Sequence, residues 1–104
     1  MNNNQNSGSN EWERRVRKAR TIPIQAMCKR LGIELPKKGK NGSFYGTCPV
    51  CDDEGRHFHV SPQKAGGRGL YFCRTCGSGG DSLSLFMAVR KTSFPEAVRE
   101  LSDG

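Results

Sequence analysis

Tyr45-Gly46-Thr47-Cys48-Pro49-Val50-Cys51 and, further on, Tyr71-Phe72-Cys73-Arg74-Thr75-Cys76-Gly77 decide the reading of this chain. They contain two Cys-x-x-Cys knuckles separated by residues 52–72. A knuckle turns two thiolates toward one point, and two facing knuckles supply the tetrahedral all-sulfur set that Zn²⁺ prefers. The spacing therefore predicts one structural zinc held by Cys48, Cys51, Cys73 and Cys76. Disulfides belong to oxidising compartments, and the polar start Met1–Asn10 has no apolar core of a secretory signal. A redox Cys-x-x-Cys opens a helix in a βαβ unit, whereas each pair here follows a strand-like run. The fifth cysteine, Cys28, falls on a predicted helix and reads as a small buried hydrophobe.

Working outward, the segments between and around the knuckles are short and glycine-punctuated. Ser43–Thr47, His57–Val60 and Leu70–Phe72 read as strands. In the second, Phe58 and Val60 share one face while His57 and His59 share the other. The histidines are not expected as ligands, because four cysteines complete the site; they are either partner-contacting or simply exposed. Residues 64–69 read as a flexible hairpin tip, and Gly77 suits a left-handed turn beside the sulfurs. Asp81 caps a helix to about Arg90 that is apolar on most sides and hence core. Ser93-Phe94-Pro95-Glu96 is a capping box for a last helix, packed through Ala97, Val98 and Leu101.

Upstream, residues 1–9 are polar and low in complexity and are expected to be a disordered tail. Asn10 and Glu13 suggest a start for a basic amphipathic helix over residues 10–21, with Trp12, Val16 and Ala19 as its apolar stripe. Pro23 sits in the first turn of a second helix with Ile24, Met27, Cys28 and Leu31 buried, ended by Gly32. With 104 residues, 34% hydrophobic content and 13 glycines, the core is thin, and the metal is expected to staple it.

The net charge of +7 is unevenly placed. Residues 11–40 hold ten Lys and Arg against Glu11, Glu13 and Glu34, whereas residues 41–104 balance. A Zn²⁺ held by four thiolates is a net anion, so the attraction for a polyanion lies upstream of the metal. Asp52-Asp53-Glu54 reads as a solvated turn. No Ser/His/Asp or Cys/His pair makes a credible nucleophile, and a four-sulfur zinc leaves no open coordination position.

The order of pieces in Lys37–Cys51, Phe58–Pro62, Tyr71–Asp81 and Phe94–Leu101 resembles the zinc-binding domain of bacterial and phage DNA primases. The Gly79-Gly80-Asp81 helix start and the Phe94-Pro95-Glu96-Ala97-Val98 ending make the likeness specific, over residues 22–102. It implies an α+β fold, a small antiparallel sheet bearing a zinc ribbon and flanked by N- and C-terminal helices. It also implies a role on single-stranded template DNA in replication priming, within a primosome that supplies a separate primase polymerase domain or a replicative helicase. The family's common second ligand is His, where this chain has Cys51. Gly55-Arg56-His57 replaces a Thr-Pro-Ser turn, and the 64–69 tip is longer than usual.

On this reading Lys37, Lys38, Lys40, Arg14, Arg15 and Arg17 neutralise phosphates, and Arg56, His59, Tyr71 and Arg74 lie near the bases. Tyr71 is equally compatible with a core position. Only Ser102, Asp103 and Gly104 follow Leu101, so the chain is expected to be no enzyme by itself, a cytoplasmic protein of a phage, plasmid or other mobile element. The rival readings are a protein-interaction adaptor and a duplex-DNA-binding regulator reusing the same ribbon.

Overall fold

A computed structural model describes residues 7–39, 42–52, 55 and 57–103. Lys40 and Arg56, named above as DNA contacts, lie outside the described residues. The elements run α1 (Ser7–Arg20), α2 (Ile24–Arg30), β1 (Lys37–Lys38), β2 (Phe44–Gly46), β3 (Phe58–Ser61), β4 (Leu70–Cys73), β5 (Gly79–Gly80), α3 (Ser82–Arg90) and α4 (Phe94–Asp103). The five strands form one antiparallel meander in chain order. The fold is α+β, with both flanking helical regions in place.

Local chemistry explains most boundaries. The Asp81 carboxylate accepts from Ser84 N–H at 2.9 Å and starts α3. The Ser93–Glu96 box closes reciprocally, at 3.1 Å from Ser93 N–H to Glu96 Oε1 and 3.3 Å from Glu96 N–H to Ser93 Oγ. Gly32, at φ +75°, follows the Leu31 cap of α2, and Ile33 N–H returns to the Cys28 carbonyl at 2.8 Å. Pro23 precedes α2 as its cap rather than standing inside its first turn. α1 begins at Ser7, so Asn10 lies within the helix. Burial of its apolar stripe steadies a further turn that a cap-based reading does not anticipate.

One face of the sheet is covered and the other is open. Phe58, Val60, Tyr71 and Cys73 are at most 3% exposed and pack in one core with Ile24, Met27, Leu83, Leu85, Phe86, Val98 and Leu101. α1 docks on α4 on this covered side. Trp12 meets Phe94 edge-on at 6.5 Å, Ala19 is fully buried, and Lys18 Nζ donates to the Ser102 carbonyl at 3.0 Å. Arg20 pairs with Asp81 at 3.3 Å and lies over the Phe94 ring. The hairpin tip, which includes a short 3-10 turn at Ala65–Gly67, is tied to α2 where Ile24 N–H donates to the Arg68 carbonyl at 2.7 Å. Gly69 (φ +91°) is required there, since a Cβ would overlap the Ile24 side chain.

Candidate metal centre and the open sheet face

The two knuckles are built alike. In the first, Asp52 N–H donates back to the Cys48 carbonyl at 2.8 Å; in the second, Gly77 N–H donates to the Cys73 carbonyl at 2.8 Å. Both closing residues have left-handed backbones, φ +59° at Asp52 and +79° at Gly77. Glycine adopts this freely, and Asp is among the few other residues that tolerate it. These turns aim backbone N–H groups at sulfur: Val50 N–H approaches Cys48 Sγ at 3.4 Å.

The four sulfurs of Cys48, Cys51, Cys73 and Cys76 all lie within 4.8 Å of one another. Cys48 to Cys76 and Cys51 to Cys73 are each 3.8 Å. A regular tetrahedron with Zn–S bonds of ~2.3 Å has edges of about 3.8 Å, so these separations are those of ligand pairs sharing one ion, far beyond the length of a disulfide. The donor set therefore fits a single structural zinc, closed on all sides.

Burial and hydrogen bonding divide the sulfurs. Burial pushes the Cys48 thiol up to about 12, against the pull of the Cys51 and Val50 N–H groups. Burial also opposes ionisation of Cys73, but the Cys76 and Thr75 N–H groups outweigh it and bring that thiol to about 7. Four neighbouring thiolates need a cation, and metal binding displaces their protons. Cys28, as expected, is apart from the site, 2% exposed, and pushed up by burial to about 11.

The open face carries a feature that strand patterning did not reveal. The registers Lys37↔Tyr45, Tyr45↔His59 and His59↔Phe72 align four side chains in one row across β1 to β4. The Tyr45 and His59 ring centres are 5.8 Å apart, and those of His59 and Phe72 are 6.1 Å apart. Phe72 is 42% exposed. Beyond it, Gly79 continues the row, where a Cβ would stand 2.8 Å from the Phe72 ring; the glycine lets that ring lie across the sheet edge. The His59 imidazole is held below its ordinary value by partial burial and by the positive charges of Arg74 and Lys64. It is therefore a neutral ring at pH 7 with two cations close by.

Other sequence-predicted contacts fall elsewhere. Tyr71 is a correction: it is 3% exposed, its hydroxyl is 2.8 Å from Ser78 Oγ, and its ring packs on Phe58 at 5.8 Å. Its phenol is raised chiefly by burial. The open-face aromatics are its exposed neighbour Phe72 and the half-buried Tyr45, neither of them read as a contact from the sequence. Counting alternation back from the buried ligand Cys73 would have found Phe72. Lys38 belongs to the opposite row from Lys37, with Nζ 5.8 Å from the Phe44 ring. Arg14, Arg15 and Arg17 stay on α1, on the covered side of the sheet, with Arg15 near Glu11 at 3.9 Å.

Comparison with known proteins matches this arrangement. A family model described as CHC2 zinc finger covers residues 15–104. The DNA primase of Synechococcus elongatus is 40% identical over 70 residues, 67% of this chain and 9% of that protein. The DNA primase of Pseudomonas aeruginosa is 39% identical over 70 residues, 67% and 10% respectively. That of Streptomyces coelicolor is 33% identical over 81 residues, 78% and 12%. The chain spans about a tenth of the length of these relatives.

Cys51, exposed at the outer corner of the site, stands where the primase pattern has His. Cys51→His is expected to keep one zinc per chain, because imidazole is as good a zinc ligand as thiolate. In the cobalt-substituted protein the sulfur-to-metal absorption should lose one of its four contributions. Loss of metal binding in this variant would show that the site's shape admits sulfur alone at that corner.

Proposed function

Because the chain belongs to the CHC2 zinc finger family and carries a primase-type zinc ribbon, we propose that its open sheet face binds single-stranded template DNA in replication priming. The observation that carries this reading is the row Lys37–Tyr45–His59–Phe72. Aromatic rings side by side on one face, with Phe72 exposed and Tyr45 and His59 half-buried, suit unpaired bases, each of which has a π-face, and the flanking cations suit the phosphates between them. A duplex hides its base faces in the stack, so the row favours single strands. Lys37 at one end, with Lys64 and Arg74 near the His59 ring, supplies the phosphate contacts. Zinc shapes the sheet and takes no part in chemistry.

Ribonucleotide polymerisation would then come from another domain, a primase polymerase acting with a replicative helicase. Among the described acids, Asp81 and Glu96 cap helices, and Glu100 pairs with Arg90 at 3.6 Å.

Fluorescence anisotropy with a labelled single strand, titrated from about 50 to about 200 mM salt, tests the reading. Affinity should fall steeply, with a log–log slope of about −0.7 per neutralised phosphate, and Lys37→Ala should make that slope shallower by about 0.7. A preference for duplex over single strand, or no binding by the zinc-loaded protein, would overturn it.

A further inference from the structure

α1 and α4 pack together on the covered side of the sheet, and cations from both helices line the seam between them. Two hollows open along it. One, of about 230 Å³, is walled by Glu11, Trp12, Arg15 and Arg99. The other, of about 210 Å³, is walled by Glu11, Arg14, Arg15, Lys18 and Ser102, so Glu11 and Arg15 belong to both. Two contacts hold the seam: the half-buried Trp12 ring meets Phe94 edge-on, and Lys18 Nζ donates to the Ser102 carbonyl at 3.0 Å. Arg15 and Glu11 stand 3.9 Å apart and open to water, where an ion pair contributes little. Arg14 and Arg99 are exposed, and their guanidinium groups make no ion pair with any described residue.

Four cations against one carboxylate call for an acidic occupant, and the rest of the seam chooses which kind. A phosphate backbone carries a charge at every nucleotide, about 3.4 Å of axis along each strand. Laid along α1, it would meet the exposed carboxylates of Glu11 and Glu13. Trp12, half-buried against Phe94, offers an apolar wall to a hollow rather than an open platform for successive bases. A protein segment places its acids one by one. It can set carboxylates on Arg14, Lys18 and Arg99, keep them off Glu11, and seat an apolar side chain against Trp12. Trp and Arg are also the residues that most often dominate protein interfaces. We infer that this seam docks an acidic segment of a partner protein, anchored by one large apolar side chain beside Trp12. The seam and the open face lie on opposite sides of the sheet, so one chain can carry a strand and a partner at once.

The test uses the zinc-loaded chain and a labelled synthetic peptide of Asp and Glu with one central Phe, followed by fluorescence anisotropy. Replacing that Phe with Ala in the peptide is expected to weaken binding about fivefold or more, the threshold for a residue that matters at an interface. Arg99→Ala in the protein should weaken binding of the Phe peptide by a similar factor. Arg99 is exposed, and zinc content checks that the variant folds. Excess oligothymidylate should not displace the peptide. Equal binding of the Phe and Ala peptides would mean attraction by charge alone and overturns the inference, as does a peptide affinity that Arg99→Ala leaves intact. Displacement of the peptide by oligothymidylate or by a DNA duplex would make the seam a nucleic-acid surface and overturns it too. Failure of oligothymidylate to bind at all sinks the single-strand reading, while the peptide results still decide this inference.

Discussion

Cys73→Ser is expected to abolish zinc binding and, with it, the cooperative fold. Cys73 ends β4, is fully buried and pairs in register with Phe58, itself fully buried. The metal site is therefore part of the core wall, and its loss opens the sheet where the helices pack on it. Structural zinc contributes about 10–16 kcal/mol coupled to folding, against a total stability of about 5–15 kcal/mol for an ordinary domain. A domain with so thin a core has no reserve of that size. Circular dichroism melts with a metallochromic zinc assay should show metal loss and no sharp transition; a strong chelator should reproduce this in the unaltered protein. Cys28→Ala provides the contrast. That thiol is buried among apolar side chains away from the ligands, so zinc should stay at one per chain, with a stability cost of about 1 kcal/mol. A C73S protein that still melts cooperatively would show that the helices hold the core without metal.

What could be read from the sequence follows the range of each interaction. The knuckles, the Asp81 cap and the Ser93–Glu96 box are local: a few residues fix the chemistry, and each appears in the structure as read. β1 and β5 were not legible, because two-residue strands of Lys37-Lys38 and Gly79-Gly80 have no alternation to display. They exist because neighbouring strands supply partners. Tyr71 and Phe72 show the same limit differently. Alternation says that they face opposite ways, but only the register with Phe58 and Val60 says which faces in.

Charge was the least readable property. The basic run of α1 suggested a phosphate-binding surface, yet Lys18 ties to the Ser102 carbonyl of α4 and Arg20 to Asp81 and Phe94. These two side chains join elements far apart in the chain. A cation near a helix C-terminal carbonyl is also favoured by the helix dipole. Part of the positive run is thus structural, and among the described residues Lys37 stands in the open-face row, with Lys64 and Arg74 acting on its His59 ring.

Phe72→Ala separates the aromatic row from everything else that could attract DNA. The ring is substantially exposed and lies over the glycine backbone of β5, so its removal should leave the fold and the zinc unchanged. If bases stack on it, single-strand affinity should fall by about 1–3 kcal/mol, roughly 5- to 150-fold. The salt slope should stay as it was, since no phosphate contact is lost. Lys37→Ala should do the reverse, flattening the slope with a smaller loss at high salt. Tyr71→Phe, one residue away, isolates stability from binding: it deletes only the hydroxyl paired with Ser78. That costs about 1 kcal/mol of folding free energy and should not touch DNA affinity. Unchanged binding by Phe72→Ala alongside a steep salt response would mean that the cations alone hold the strand. The sheet would then be a scaffold for charge rather than a surface that meets bases.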